Sequence, residues 1–331
     1  MATLHAARPT SISQKSFALH SALKRSFAIN TPLTLVGLVM LATLFATLIG
    51  LIVDHRVLTG VPAWIKPAKF AISMAFYSFT LLWMLGFIKG RERIVRPIAH
   101  TVALGFLVEI VIIVTQVVRG TTSHFNFTTF MNAFLYTVMG SFITVVWVAT
   151  LIAAILLLVQ RMPNPVFAWS LRLGILLSLV GMAVGVIMTL PTTTQLAVLH
   201  ASGQLPYIGA HSVGATDSGP GLPFLGWSTV GGDLRIAHFF GLHALQVIPL
   251  MGWLLILSRV SILTNGHKLA LLWTFGMGYL GLIVLLTWQA LRAQSLIAPD
   301  ALTLEVFALL LAAIALAIIA IVTHARLRVV A

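Results

Sequence analysis

Residues 31–53 read TPLTLVGLVMLATLFATLIGLIV, twenty-three positions without one ionisable side chain. A helix needs roughly 20 mostly apolar residues to cross about 30 Å of hydrocarbon, so this stretch alone can span a bilayer. It is too long for the apolar segment of a signal peptide and no small-residue cleavage site follows, so it is expected to stay as an anchor. Seven further stretches meet the same length, near 69–88, 97–118, 129–159, 167–190, 236–258, 268–291 and 302–323. The expected fold is all-α: a polytopic membrane protein built as a bundle of about eight transmembrane helices.

Composition leads to the same place. Of 331 residues, 59% are apolar and 8% charged, with a mean hydropathy of +1.04. A soluble domain carries about 25% charged residues and could not hide this much apolar surface in one or two cores. An ordinary soluble enzyme, a nucleic-acid-binding domain and a disordered chain are excluded. There is no cysteine, which removes disulfides, thiolate metal sites, iron–sulfur clusters and cysteine nucleophiles.

The charge is lopsided, with 20 Lys and Arg against 7 Asp and Glu. Cytoplasmic loops of membrane proteins collect Lys and Arg. With the N-terminus inside, the inner segments hold fourteen cations: Arg8, Lys15, Lys24, Arg25, Lys89, Arg91, Arg93, Arg96, Arg161, Arg172, Arg259, Lys268, Arg326 and Arg328. The outer ones hold six, Arg56, Lys66, Lys69, Arg119, Arg235 and Arg292. Both termini are therefore expected in the cytoplasm of a bacterial inner membrane. Residues 1–30 read as a basic cytoplasmic tail, 31–324 as one transmembrane domain and 325–331 as a second tail. The long outer segment 191–235, rich in Gly, Pro, Ser and Thr, leads into the most polar helix start in the chain and reads as a lid.

The informative side chains are those hydrocarbon rejects. Glu109 lies midway along the third span, where a carboxylate facing lipid would cost several kcal/mol. Helical spacing places Gly105, Glu109 and Gln116 on one stripe, with Arg119 a turn beyond. Glu109 and Gln116 are the candidate proton-handling pair, and close helix packing is the bland alternative. Next comes the polar connection Arg119-Gly120-Thr121-Thr122-Ser123-His124-Phe125-Asn126. Thr128, Asn132, Tyr136, Gly140 and Thr144 follow at four-residue spacing, a small and polar face expected to pack against other helices. The sixth span opens Gly231-Gly232-Asp233-Leu234-Arg235-Ile236-Ala237-His238 and continues through His243 to Gln246. Asp233 reads as its N-cap. His238 and His243 are five apart, about 140° around a helix, and do not chelate one ion easily. On the second span Lys66-Pro67 reads as preceding the helix, with Lys69, Ser73, Tyr77 and Thr80 running inward. His200 and His211 join such a site only if the lid folds over it, while His267 and His324 read as solvated.

Lys66, Lys69, Arg119, Arg235 and Arg292 sit at outer helix ends beside His124, His238 and His243. They suggest a pocket for something anionic, a phospholipid phosphate or an anionic small molecule. The leading functional reading is a redox site for b-type haem or a quinone, since imidazoles from two helices ligate haem iron and Lys or Arg pair with propionates. The alternatives are a proton-coupled transporter with Glu109 as coupling group, a zinc or copper enzyme using His124, His238 and His243, and a structural subunit of a membrane complex. Membrane lipids are the expected surroundings and nucleic acid is not a partner.

Overall fold

The computed structural model describes residues 12–330, with side chains described for residues 20–328. His5 and Arg8 of the expected basic tail lie outside the described residues. The chain is 72% helical, and eight of its helices are long and apolar enough to cross a membrane. They are α2 (Thr31–Val53), α3 (Ile65–Leu85), α4 (Glu92–Val118), α5 (Phe130–Val159), α6 (Pro165–Met188), α8 (Leu234–Leu257), α9 (Asn265–Leu291) and α10 (Ala301–Val330). Two further helices do not span, α1 (Ile12–Ile29) and α7 (Thr193–Ser202). Short caps set the helix starts: the side chains of Asn30, Thr129, Asn164 and Asp233 accept from Leu33, Asn132, Phe167 and Arg235 backbone N–H groups, satisfying donors the first turn leaves unpaired.

Successive spans alternate in direction, which gives the bundle two ends. The loop end carries connections 54–64, 119–129, 189–233 and 292–300. The basic end carries 86–91, 160–164, 258–264 and the start of α2. Three boundaries differ from the sequence reading. Helix α3 starts at Ile65, so Lys66-Pro67 forms its first turn, where a missing N–H costs nothing. Helix α4 starts at Glu92 and holds Pro97 inside it. Helix α10 runs to Val330, through the expected second tail, because neither Gly nor Pro interrupts it.

The spans pack as two groups. Helices α2 to α5 share one core around Leu33, Met40, Leu82, Met84 and Leu157. Helices α6, α8 and α9 share another around Ala237, Ala244, Ile248, Leu272 and Ile283. Helix α6 joins them, since Leu171, Ile175 and Leu179 belong to the first core. Its contact with α8 is the closest in the bundle: a Cβ on Gly181 or on Gly241 would overlap the other glycine's backbone, the small-residue approach typical of membrane helices. Helix α10 leans on α9, with Ile314 over Gly278 and Leu310 over Gly281.

Two sequence expectations are corrected here. On α5 the stripe splits: Asn132 is buried, but Gly140 and Thr144 are exposed and nothing lies within 4 Å of a Cβ added at Gly140. The basic-end half of α5 instead packs through Val146, Ala149, Thr150 and Ala153. At the basic end His267 is buried, not solvated. Its Nε2 lies 3.1 Å from Nδ1 of His324, and its Nδ1 accepts from the Thr264 backbone N–H.

Candidate functional site

At the loop end, the polar connection between α4 and α5 folds into a compact hydrogen-bonded turn. Gly120 and Phe125 both take positive φ, +72° and +60°. The first suits glycine; the second is strained for a bulky residue and is held by its surroundings. Arg119 donates to Gln116 Oε1 at 2.5 Å and to Asn132 Oδ1 at 2.9 Å. Gln116 Nε2 donates to Asn132 Oδ1 at 3.1 Å, and Asn126 Nδ2 donates to Thr121 Oγ1 at 2.9 Å. This clamp uses Gln116 and Arg119 as struts. It turns His124 toward the bundle, where Nε2 lies 3.6 Å from Glu109 Oε1. Glu109 is nine residues, roughly 14 Å, from the loop end of α4, and is 2% exposed.

The segment 189–233 is an ordered cover. Helix α7 carries a capping box of Thr192 and Gln195, and Gln195 exchanges two hydrogen bonds with the Gly209 backbone. The Phe127 N–H donates to Pro206 O and the Ile208 N–H to Phe125 O, tying the cover to the His124 turn. Strand β3 (Ser212–Val213) pairs antiparallel with β4 (Gly232–Asp233). Asp217 accepts from the backbone N–H groups of His211 and Ser212 and from His211 Nδ1 at 2.7 Å. Burial pushes the Asp217 carboxyl upward, but those hydrogen bonds and the His211 charge outweigh it and hold the group well below the usual carboxylate range.

The cover brings His211 onto His124, with ring centroids 6.4 Å apart. Phe125 packs against His211 at 4.8 Å, and Phe70 and Tyr136 lie 5.5 and 6.2 Å from His124. From α8, His238 reaches into electrostatic range of both imidazoles while its Nδ1 sits 2.8 Å from Gly181 O. Burial holds His124 well below the ordinary histidine value of 6.5. It lowers His211 too, with the Asp217 hydrogen bond opposing. The cluster thus stands at the seam of the two helix groups: Glu109 and His124 from the first, His238 from the second, His211 and Asp217 from the cover.

Five buried side-chain polar atoms among the described residues lack a hydrogen-bond partner, and three belong to this cluster or adjoin it: Glu109 Oε2, Thr122 Oγ1 and Ser212 Oγ. Buried polar groups in native proteins are almost always paired, so this concentration marks a place built around something polar. The Lys66 ammonium is within electrostatic range of Glu109 and lies 5.9 Å over the Phe70 ring. No hydrogen bond to it forms among the described residues.

The other expected cations do not form one anion pocket. Arg235 is taken by Asp233 and by Gly226 O, Lys69 by Leu225 O at 2.8 Å, Arg119 by the clamp, and Arg292 by Asp300 at 2.6 Å and Thr303. These cations hold the cover and the α9–α10 corner in place. The expected metal set is not assembled either. His243 turns to Gln246 Oε1, 3.3 Å away, and Gln246 in turn donates to Thr80 of α3. Among the described residues no three His, Cys, Asp or Glu side chains converge where a metal ion could sit. Asp217 was missed in the sequence, although it is the sole acid between α6 and Asp233. The chain matches no protein-family model, no curated protein and no solved structure, so the site's own chemistry carries the functional argument.

Proposed function

We propose that this is a redox protein of the bacterial inner membrane, with both termini cytoplasmic, that exchanges protons with a quinone at its lidded outer end. One observation carries the reading: the chain of carboxyl and imidazole groups Glu109, His124, His211, Asp217. It runs from the middle of a membrane span to the cover, with separations of 3.6 Å, 6.4 Å between rings and 2.7 Å. Carboxylates and imidazoles are the side chains that pass protons near neutral pH, and a gap of the size between the two rings is one that a single water can bridge. A quinone takes up or releases protons whenever it is reduced or oxidised, and it reaches such a site through the bilayer.

The packing favours a single six-membered ring over haem. A macrocycle ligated by His124 would have to displace Phe70, Phe125 and Tyr136, which surround that imidazole. The inner half of the seam favours one-sided chemistry over transport. Beyond the Tyr77–Thr150 hydrogen bond of 2.7 Å and the Gln246–Thr80 bond between α8 and α3, the first core is filled by Leu81, Leu82, Met84, Leu85 and Leu157, which offer a proton or an anion no partner.

Protein purified in mild detergent, extracted with organic solvent and analysed by chromatography, is expected to release about one quinone per chain, and its dithionite-reduced spectrum is expected to lack a haem Soret band. Quinone content no higher than that of an unrelated membrane protein prepared alongside would remove the reading, and a Soret band would replace it with haem.

A further inference from the structure

Two of the clustered imidazoles have their proton placed by the acceptor they face. A backbone carbonyl only accepts, so Nδ1 of His238, 2.8 Å from Gly181 O, carries the hydrogen. An ionised carboxylate only accepts, so Nδ1 of His211, 2.7 Å from Asp217 Oδ2, carries it as well. In the neutral rings both Nε2 atoms are then bare lone pairs, and neither meets a donor among the described residues. Glu109 Oε2 is a third polar atom without a partner, in a residue 2% exposed. Beside them stand the Lys66 ammonium, which makes no hydrogen bond among the described residues, and the unpartnered hydroxyls of Thr122 and Ser212, which can donate as well as accept.

Two imidazole nitrogens that can only accept select a ligand that arrives with its own hydrogens. A quinone headgroup exists in two forms of nearly the same shape and opposite hydrogen-bonding character. The oxidised form offers two carbonyl oxygens and no donor. The reduced, dihydroxy form offers two O–H donors whose oxygens can also accept. We propose that the site binds the hydroquinone in preference to the quinone, its hydroxyls donating to Nε2 of His211 and of His238 and one of its oxygens accepting from Lys66. The oxidised form would leave the bare nitrogens unpaired, and discrimination against a ligand that leaves buried polar groups unpaired is strong. The proposal rests on the quinone reading above and adds to it the redox state that the site holds.

The test uses the full-length protein in detergent under argon, titrated with decylubiquinol and separately with decylubiquinone by isothermal titration calorimetry. The expected result is at least tenfold tighter binding of the reduced form. Asp217→Asn supplies a second arm. An asparagine amide turned to donate to Nδ1 shifts the His211 hydrogen to Nε2 and converts an acceptor into a donor. The preference is then expected to narrow, with binding of the oxidised form improving. A variant that only loosened the cover would weaken both forms together. Equal affinities, or tighter binding of the oxidised form, in the unmodified protein would overturn this proposal and leave the quinone reading standing. Binding of neither form would overturn both.

Discussion

Around His124, hydrocarbon and hydrogen bonding pull on the same side chains, and the consequence is a pH-sensitive cover. Burial holds His124 and His211 below 6.5, so the unfolded cover takes up protons before the folded one does. Their contribution to stability is complete above that value and is withdrawn as pH falls through it. Asp217 follows the same sign at lower pH. Its carboxyl is held below 3.8, so its contribution persists above 3.8 and is lost only in stronger acid. Hydrogen exchange of the amides in 203–217 is expected to be slow at about pH 7.5 and, corrected for intrinsic rate, to speed up below about pH 6.5. Protection unchanged down to about pH 4.5 would refute this. Asp217→Ala removes the acceptor for two backbone N–H groups and one imidazole. It should lower the cover's local opening free energy by about 2 kcal/mol, the scale of hydrogen bonds to a charged group, measured in the same exchange experiment. Glu109, His124 and His238 could be read from the sequence because hydrocarbon rejects them, so their presence within or beside a span already asks for a partner. The His211–Asp217 pair could not. It depends on how the cover turns at Gly214, where φ is +72°, and nothing local to either residue announces it.

Among the helices, long apolar runs were enough to locate the spans, while their faces were not. A stripe of small and polar residues on α5 reads as a packing face, yet α5 buries Val146, Ala149 and Ala153 and leaves Gly140 open. Lipid tails are as apolar as leucine, so apolar periodicity does not separate a lipid-facing side from a helix-facing one. Close backbone approach does, and it falls at Gly181 and Gly241. Replacing Gly241 with leucine would drive its side chain into the α6 backbone and disturb the Gly181 carbonyl that orients His238. A loss of about 3 kcal/mol is expected, with a lower unfolding temperature in detergent. Gly140→Leu meets open space and should stay within about 0.5 kcal/mol of the parent. If the two substitutions cost the same, the α6–α8 contact is not the close backbone approach described.

On the scale of the whole molecule, the fourteen cations that the sequence assigns to the inner segments and the six of the outer ones serve different physics. In the proposed orientation the first group addresses the membrane through the positive-inside rule; four of the second pin the cover and corners through Asp233, Leu225 O, Asn132 and Asp300. Summed charge alone merges the two, which is why an anion pocket was the natural sequence reading, whereas in the structure these four cations bond within the fold, two to carboxylates and two to neutral oxygens. The proposed orientation is open to direct test because the chain has no cysteine. A lone cysteine at exposed Ser218 in the cover should react with a membrane-impermeant maleimide in intact cells. One at exposed Ser261 in the α8–α9 connection should react only after lysis, and the reverse pattern would invert the topology. The central claim, that Glu109 trades a proton with the bound carrier through His124, meets its most direct test in redox-induced infrared difference spectroscopy of the quinone-loaded protein. The account predicts a carboxyl band that changes between the oxidised and reduced states, is absent in Glu109→Gln and remains in Glu92→Gln. A difference spectrum without such a band, or one that Glu109→Gln leaves intact, would contradict it.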